Sequence, residues 1–292
     1  MSVWTNDDLE FLKENYNKYT KKQLAQMLDK TTNAIQVKAS RLGLKREEKY
    51  FYDKNFFEHI DTEGKAYWLG FIYADGYISW SKKNRGYVVG IELQDSDYKH
   101  LEKFNKCIGG NVQVVHRKRK DVEICGVPVG DCTICSIRLF CKKMFDDLVS
   151  HGCCMNKTSI KDAPVGVPEN LLKDFLRGYF DGNGTITYSY SKRVDKSYIK
   201  LFFTTGSEKF AKWLNETTKK LGFNSYVGKN NENSYKVYVS EYDVVDFLNF
   251  MYKDSNIYLQ RKYEKFIDAV YGRGSVIDHK LSGGEIGERL SA

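Results

Sequence analysis

Three observations predict an α+β fold made from two copies of one unit. A helical motif occurs twice, WLGFIYADG at Trp68–Gly76 and LRGYFDGNG at Leu176–Gly184. The same order of strands and helices follows each copy. An all-helical segment of different pattern precedes both.

That segment, residues 1–46, reads as three short helices. Thr5 is the expected cap of the first, with Asp7, Asp8 and Glu10 in its first turn. The second covers Lys21–Leu28. The third starts at Thr31 or Thr32 and runs to Gly43, a natural helix stop. Trp4, Leu9, Leu12, Tyr16, Leu24, Ala25, Leu28, Ile35 and Leu42 are its expected core. With WTNDDLEFL at its start and TTNAIQVKASRLGLKR at its end, it resembles the helix-turn-helix modules of the Myb/SANT-like group. The resemblance implies a last helix laid in the DNA major groove, where Asn33, Gln36, Lys38 and Arg41 have donors for base edges or phosphates. The alternative is a trihelical protein-interaction domain, because polar residues on an exposed helix face need no ligand.

Residues 47–64 carry mixed charge and aromatics and read as a connector. The first repeat, 65–160, reads as helix Lys65–Asp75, strands Tyr77–Trp80 and Tyr87–Leu93, helix Asp97–Ile108, strands Asn111–His116 and Cys132–Leu139, and helix Lys142–Ser150. The second, 161–274, repeats that order: helix Glu169–Gly182, strands Thr185–Tyr190 and Tyr198–Thr205, helix Ser207–Leu221, strands Ser225–Lys229 and Tyr235–Ser240, then helices beyond Tyr242. NKT at Asn156–Thr158 is matched in place by QRKY at Gln260–Tyr263, a second landmark of duplication. Residues 275–292 read as a peripheral tail.

The 292 residues are enough to bury a sizeable core. With 46 Lys and Arg against 38 Asp and Glu, the formal charge is +8, which suits a polyanionic partner. No apolar run approaches the roughly 18 residues that span a bilayer, and no signal peptide is evident, so a cytoplasmic protein with reduced thiols is expected. Cys132 and Cys135 form a C-x-x-C, but on a strand residues three apart point to opposite faces and share no metal.

Chemistry concentrates in the motif helices. Gly70 and Ala74 stand four apart, as do Gly178 and Gly182, so each helix presents a stripe of small residues. Glycine inside a helix costs about 1 kcal/mol relative to alanine, and close packing of the two helices would offset it. Asp75 sits at the C-terminal end of its helix, where the dipole disfavours a carboxylate. Parallel pairing sets position 183 beside it. Two acids there would repel unless a divalent cation sat between them, and such a cation could polarise a phosphate and activate water. A lone A-D-G is a helix end followed by a turn; two copies with matched strands are more than that.

These residues resemble the LAGLIDADG homing endonucleases in their single-chain, two-motif form, over residues 60–270. The resemblance implies two pseudo-twofold-related αββαββα repeats, their four-stranded sheets forming a saddle over the DNA major groove, with the motif helices at the interface. It implies Mg2+-dependent cutting of double-stranded DNA, with Ca2+ or Mn2+ able to occupy the site. Metal would be held by Asp75, Asn183 and the carbonyls of Ala74 and Gly182, and Lys157 and Lys262 would lie near the cleaved phosphate. Asp95 and Thr205 would belong to the water network. Asn183 departs from the family, which usually has an acid there. Asp181, two residues earlier, points about 200° away on a helix and does not substitute. Cleavage is therefore expected to be weakened, restricted to one strand, or abolished.

On the sheets, the expected DNA contacts are Lys82, Lys83, Arg85, His116, Arg117, Lys118 and Arg119 in the first half. In the second they are Tyr188, Tyr190, Lys192, Arg193, Lys196, Lys200 and Lys229. Most would meet phosphate. A monomer is expected, because both half-sites lie in one chain. The rival reading is a protein that keeps this fold and binds DNA or RNA without cutting, as a maturase or regulator.

Overall fold

The computed structural model describes residues 4–46, 50–124, 127–155, 162–191 and 196–272. The chain forms two compact units, Met1–Phe51 and Tyr52–Ala292.

The small unit holds α1 (Asn6–Asn15), α2 (Lys21–Met27) and α3 (Thr32–Arg41). Thr5 closes a capping box with Asp8, Thr20 does the same with Gln23, and Thr31 caps α3. Gly43, at φ +67°, ends α3 in the left-handed conformation that suits glycine, and Leu44 N–H bonds back to the Ala39 carbonyl. Leu12, Tyr16, Leu24, Ala25, Ile35 and Ala39 form the core, with Trp4, Leu28 and Leu42 packed against it.

The large unit starts earlier than residue 65. Phe56, Phe57 and Ile60, read as connector, are buried, and Asp53 N–H bonds to the Ile108 carbonyl at 2.8 Å. The first repeat is α4 (Glu63–Ala74), β1 (Gly76–Ser81), β2 (Gly86–Gln94), α5 (Tyr98–Cys107), β3 (Val115–Ile124), β4 (Val127–Leu139) and α6 (Lys142–Ser150). The second is α7 (Leu172–Asn183), β5 (Gly184–Ser191), β6 (Lys196–Thr205), α8 (Glu208–Lys220), β7 (Ser225–Asn231), β8 (Ser234–Val239) and α9 (Val244–Tyr252), followed by α10 (Gln260–Tyr271). Each repeat has an antiparallel four-stranded sheet, ordered β1-β2-β4-β3 and β5-β6-β8-β7.

One strand is displaced from its expected place. The third strand, expected at 111–116, begins at Val115 and takes in the whole HRKRK run. Its residues 115–120 are exposed, and β3 is an edge strand. A run of charged residues exposed on both faces, as 115–120 are, shows no alternating pattern to read, and charge on an edge keeps other chains from pairing with it.

Alternate residues of β2, β4, β5, β6 and β8 form the core under the helices. Ile91, Leu93, Cys135, Ile137 and Leu139 do so in the first sheet, and Ile186, Leu201, Phe203, Val237 and Val239 in the second. The opposite faces carry polar, basic and aromatic side chains.

Candidate functional site

The motif helices meet through their glycines, reciprocally. A Cβ added at Gly70 would lie 2.1 Å from the Phe175 carbonyl oxygen, and one at Gly178 would lie 2.0 Å from that of Tyr67. Gly70 faces the Tyr179 nitrogen just as Gly178 faces that of Phe71. Each pair is related by the offset that separates Asp75 from Asn183, so the helices obey a local pseudo-twofold. Farther along, a Cβ on Gly182 would sit 2.4 Å from Ala74 Cβ and 3.3 Å from Asp75 Cγ. Both helices are almost wholly buried, which accounts for the apolar run of α4 on every side, while α7 buries Asp174, Arg177 and Asp181 among its apolar residues.

At their C-terminal ends Asp75 packs against Gly182, the residue before Asn183. Asp75 caps α4, its N–H bonding to Phe71 O at 2.9 Å, and Asn183 is the last residue of α7. Beside them Tyr179 donates to the Thr204 carbonyl at 2.9 Å and also bonds the side chains of Thr205 and Asn183. Burial pushes its hydroxyl up to about 12. Lys262, near the start of α10, is buried and donates from Nζ to the Gly184 carbonyl, immediately after Asn183. Burial and the neighbouring Arg261 bring its ammonium down to about 8. An open cleft of about 440 Å3 begins at Asp75 and is lined by Glu92, Leu93, Gln94, Asp97, Ile134 and Arg261. Arg261 Nε donates to Asp97 Oδ2 at 3.0 Å.

The oxygens at these two helix ends include the Asp75 carboxylate, the Asn183 amide oxygen and the main-chain carbonyls of Ala74 and Gly182. All are hard oxygens that suit Mg2+, Ca2+ or Mn2+ better than zinc. Among the described residues no group of three or more His, Cys, Asp or Glu converges on a metal position. The oxygen chemistry of this set suits a divalent cation, and with one carboxylate it carries less negative charge than two would provide.

Asp181 points away, as its place on the helix predicts. It is fully buried and accepts from Tyr67 Oη at 2.6 Å, Tyr252 Oη at 2.5 Å and Leu259 N–H at 2.7 Å. Burial raises its carboxyl above the usual range. Leu259 immediately precedes α10, so Asp181 fixes the start of the helix that carries Lys262.

Three of the remaining expected site residues, Lys157, Lys192 and Arg193, lie outside the described residues. On α3, Asn33, Gln36 and Arg41 are exposed, and Gln36 accepts from Lys21 Nζ at 3.0 Å. Lys38 instead turns back over the Trp4 ring, 5.2 Å from its centroid. Lys82 and Arg85 are exposed in the β1–β2 turn. Arg117 and Arg119 both reach Glu92, the former at 2.9 Å. His116 Nδ1 lies 2.5 Å from Asp95 Oδ1. Thr205 is buried, and its Oγ1 accepts from Ser207 N–H at 3.2 Å.

In the second sheet the register separates the candidates. Lys200 lies on the face turned from the helices, opposite Thr187. Lys229 pairs with Tyr235, whose hydroxyl donates to Glu208 of α8, so both belong to the helix side. Tyr188 likewise donates to Asp268 of α10 at 2.5 Å. Arg138 and Lys236, absent from the expected contacts, stand on the outer faces, opposite Gly90 and Thr204. Strand alternation would have found them, had pairing with β2 and β6 been known. Cys132 and Cys135 fall on opposite faces of β4, the latter with Sγ 3.3 Å from Gln94 O.

The chain resembles solved structures. The homing endonuclease I-WcaI bound to its DNA recognition sequence is 19% identical with a TM-score of 0.50, covering 77% of this chain and 95% of that one. The LAGLIDADG meganuclease I-AabMI bound to uncleaved DNA is 13% identical with a TM-score of 0.50, covering 74% and 92%. I-DmoI in complex with DNA and Mn is 15% identical with a TM-score of 0.44, covering 66% and 98%. No curated protein matches the chain. Residues 170–251 match the family model of the LAGLIDADG-like domain, and the α+β architecture of two four-stranded sheets is the fold of LAGLIDADG meganucleases.

Proposed function

We propose that the chain is a site-specific double-stranded DNA endonuclease of homing type, its metal-dependent hydrolysis impaired by Asn183. The observation that carries this reading is the packing of Asp75 against Gly182, next to Asn183, at the ends of two glycine-packed helices, with Lys262 at the Gly184 carbonyl. Asp75, Asn183 and the Ala74 and Gly182 carbonyls would hold a divalent cation, Mg2+ in the cell. When bound, it would polarise the scissile phosphate and make its water more acidic. Lys262, charged below about pH 8, would place a positive group where negative charge develops on phosphate. Lys157 would do the same in the first half, and Tyr179 would orient the Asn183 amide.

The small unit, read as a Myb/SANT-like module, would add DNA affinity through Asn33, Gln36 and Arg41 of α3. Lys82, Arg85, Arg117, Arg119 and Lys200, with Lys192 and Arg193, would meet the duplex. The protein would act as a monomer on DNA inside the cell. Asn183 specifically favours the second reading, a binding protein on the same fold that no longer cuts, because an amide adds no charge to the metal site.

Cleavage of a randomised duplex library with Mg2+, compared with binding alone in Ca2+, tests the proposal. Asn183→Asp is expected to raise two-strand cutting at least about tenfold. Equal cutting by both forms would refute the role given to Asn183. Binding with no cutting by either form would establish the second reading.

A further inference from the structure

The two sheets present different chemistry at matching positions. In the first, the outer-face row beginning one residue after Gly76 is Tyr77, Gly90 and Arg138. In the second, the row beginning one residue after Gly184 is Thr185, Phe202, Tyr238 and Tyr226. Glycine and arginine on the central strands are thus answered by phenylalanine and tyrosine. Phe202 and Tyr238 have centroids 5.3 Å apart, and Tyr238 stacks on Tyr226 at 5.1 Å with ring planes 15° apart. Tyr226, on the edge strand, is 59% exposed. Basic residues flank the aromatic row on both sides. Lys236 lies over the Phe202 ring at 4.5 Å, and Lys200 lines a groove of about 630 Å3 with Tyr226 and Tyr238. The row starts two residues from Asn183, about 7 Å along the strand.

We propose that the second sheet reads its half-site through apolar contact with thymine methyl groups in the duplex major groove, using Phe202, Tyr238 and Tyr226, while the first sheet reads through guanidinium groups. This rests on the DNA-binding reading above. A ring face has no fixed donor pattern, so it cannot read the acceptors of guanine as arginine does, but it gains by covering the methyl that only thymine carries there. The flanking lysines would anchor the phosphates on either side of the row. In the first sheet, Glu92 holds Arg117 and Arg119 across β4, which fixes two planar forks for base acceptors. The two half-sites of one target would therefore differ in composition, with thymine enriched under the second sheet.

The full chain, held in Ca2+ so that DNA is not consumed, would be used to select binders from a randomised duplex library. Arg138→Ala and Arg117→Ala assign the half-site read by the first sheet. The selected duplex would then be remade with uracil for thymine in the other half-site, which removes only the methyl groups. Binding is expected to weaken about fourfold per contacted methyl, the cost of one exposed methylene-sized group. In Tyr226→Ala and Tyr238→Ala the penalty for uracil should vanish, while preference in the first half-site persists and shows that the variants are folded. Selected DNA whose second half-site tolerates uracil overturns this inference and leaves DNA binding intact. A chain that enriches no DNA overturns the proposed function and this inference together.

Discussion

At the level of single residues, Asp181 and Asn183 show how two positions in one turn divide the work. Asn183 ends α7 next to the Gly182 that packs against Asp75, whereas Asp181 enters the core and takes three donors. The sequence predicts this, because the helical period alone turns them apart. Lys262 has a further consequence. Its ammonium is brought down to about 8, below the value of a free lysine. Between about pH 8 and 10 the unfolded chain therefore binds a proton that the folded chain has released, and stability rises with pH. Lys262→Met should abolish a gain of about 2 kcal/mol over that window, measured by urea unfolding at its two ends. Above about pH 10 the effect reverses, because Tyr67 and Tyr252, raised by burial, keep protons that the unfolded chain loses.

Among the elements, α4 and α7 depend on having no side chain at two positions. Gly70→Ala or Gly178→Ala would push a methyl to within about 2 Å of a main-chain oxygen that cannot rotate away. Each should cost about 3 kcal/mol or more, seen as a lower midpoint of denaturant unfolding. Gly64→Ala in the same helix meets only Ile257 Cδ1 at 3.4 Å and should be neutral or stabilise by up to about 1 kcal/mol. Equal losses at Gly64 and Gly70 would mean that propensity, and not packing, controls the helix. The pairing was legible because small residues four apart in an apolar helix give up propensity that close backbone packing restores. The course of β3 was not legible, because a charged edge strand carries no period.

In the large unit as a whole, the near-symmetry is broken by a buried guanidinium. Arg177 is 1% exposed and donates to Asp174, Glu63, Ile257 O and Met251 O, each at 2.8 Å. Glu63 also accepts from Asn256, so the start of α4 is tied to the segment between α9 and α10. The matching residue of α4 is Leu69. Arg177→Ala would strand the buried Asp174 carboxylate and two carbonyls and leave Glu63 with Asn256 alone, and should cost about 3–5 kcal/mol in thermal or denaturant unfolding. Leu69→Ala, which removes only apolar contacts, should cost about 2–5 kcal/mol but leave α10 in place. Loss of the pH-dependent gain from Lys262 in the first variant and its retention in the second would show that Arg177 holds α10.

The sequence by itself determined the duplication, the glycine-packed helix pair, the loss of one acid at position 183 and the capped trihelical segment. Each of these is local, set by helix period, capping chemistry or the identity of one residue. Tertiary structure alone decided which basic and aromatic side chains share the outer faces of the sheets. It turned Lys229 and Tyr188 toward helices, set Lys38 over Trp4, and brought Arg138, Lys236 and Tyr226 to the outer faces. It also brought Arg261 to Asp97 and Lys262 to Gly184. A strand shows its face only once its register against a neighbour is fixed, and that register is a contact between residues far apart in the chain.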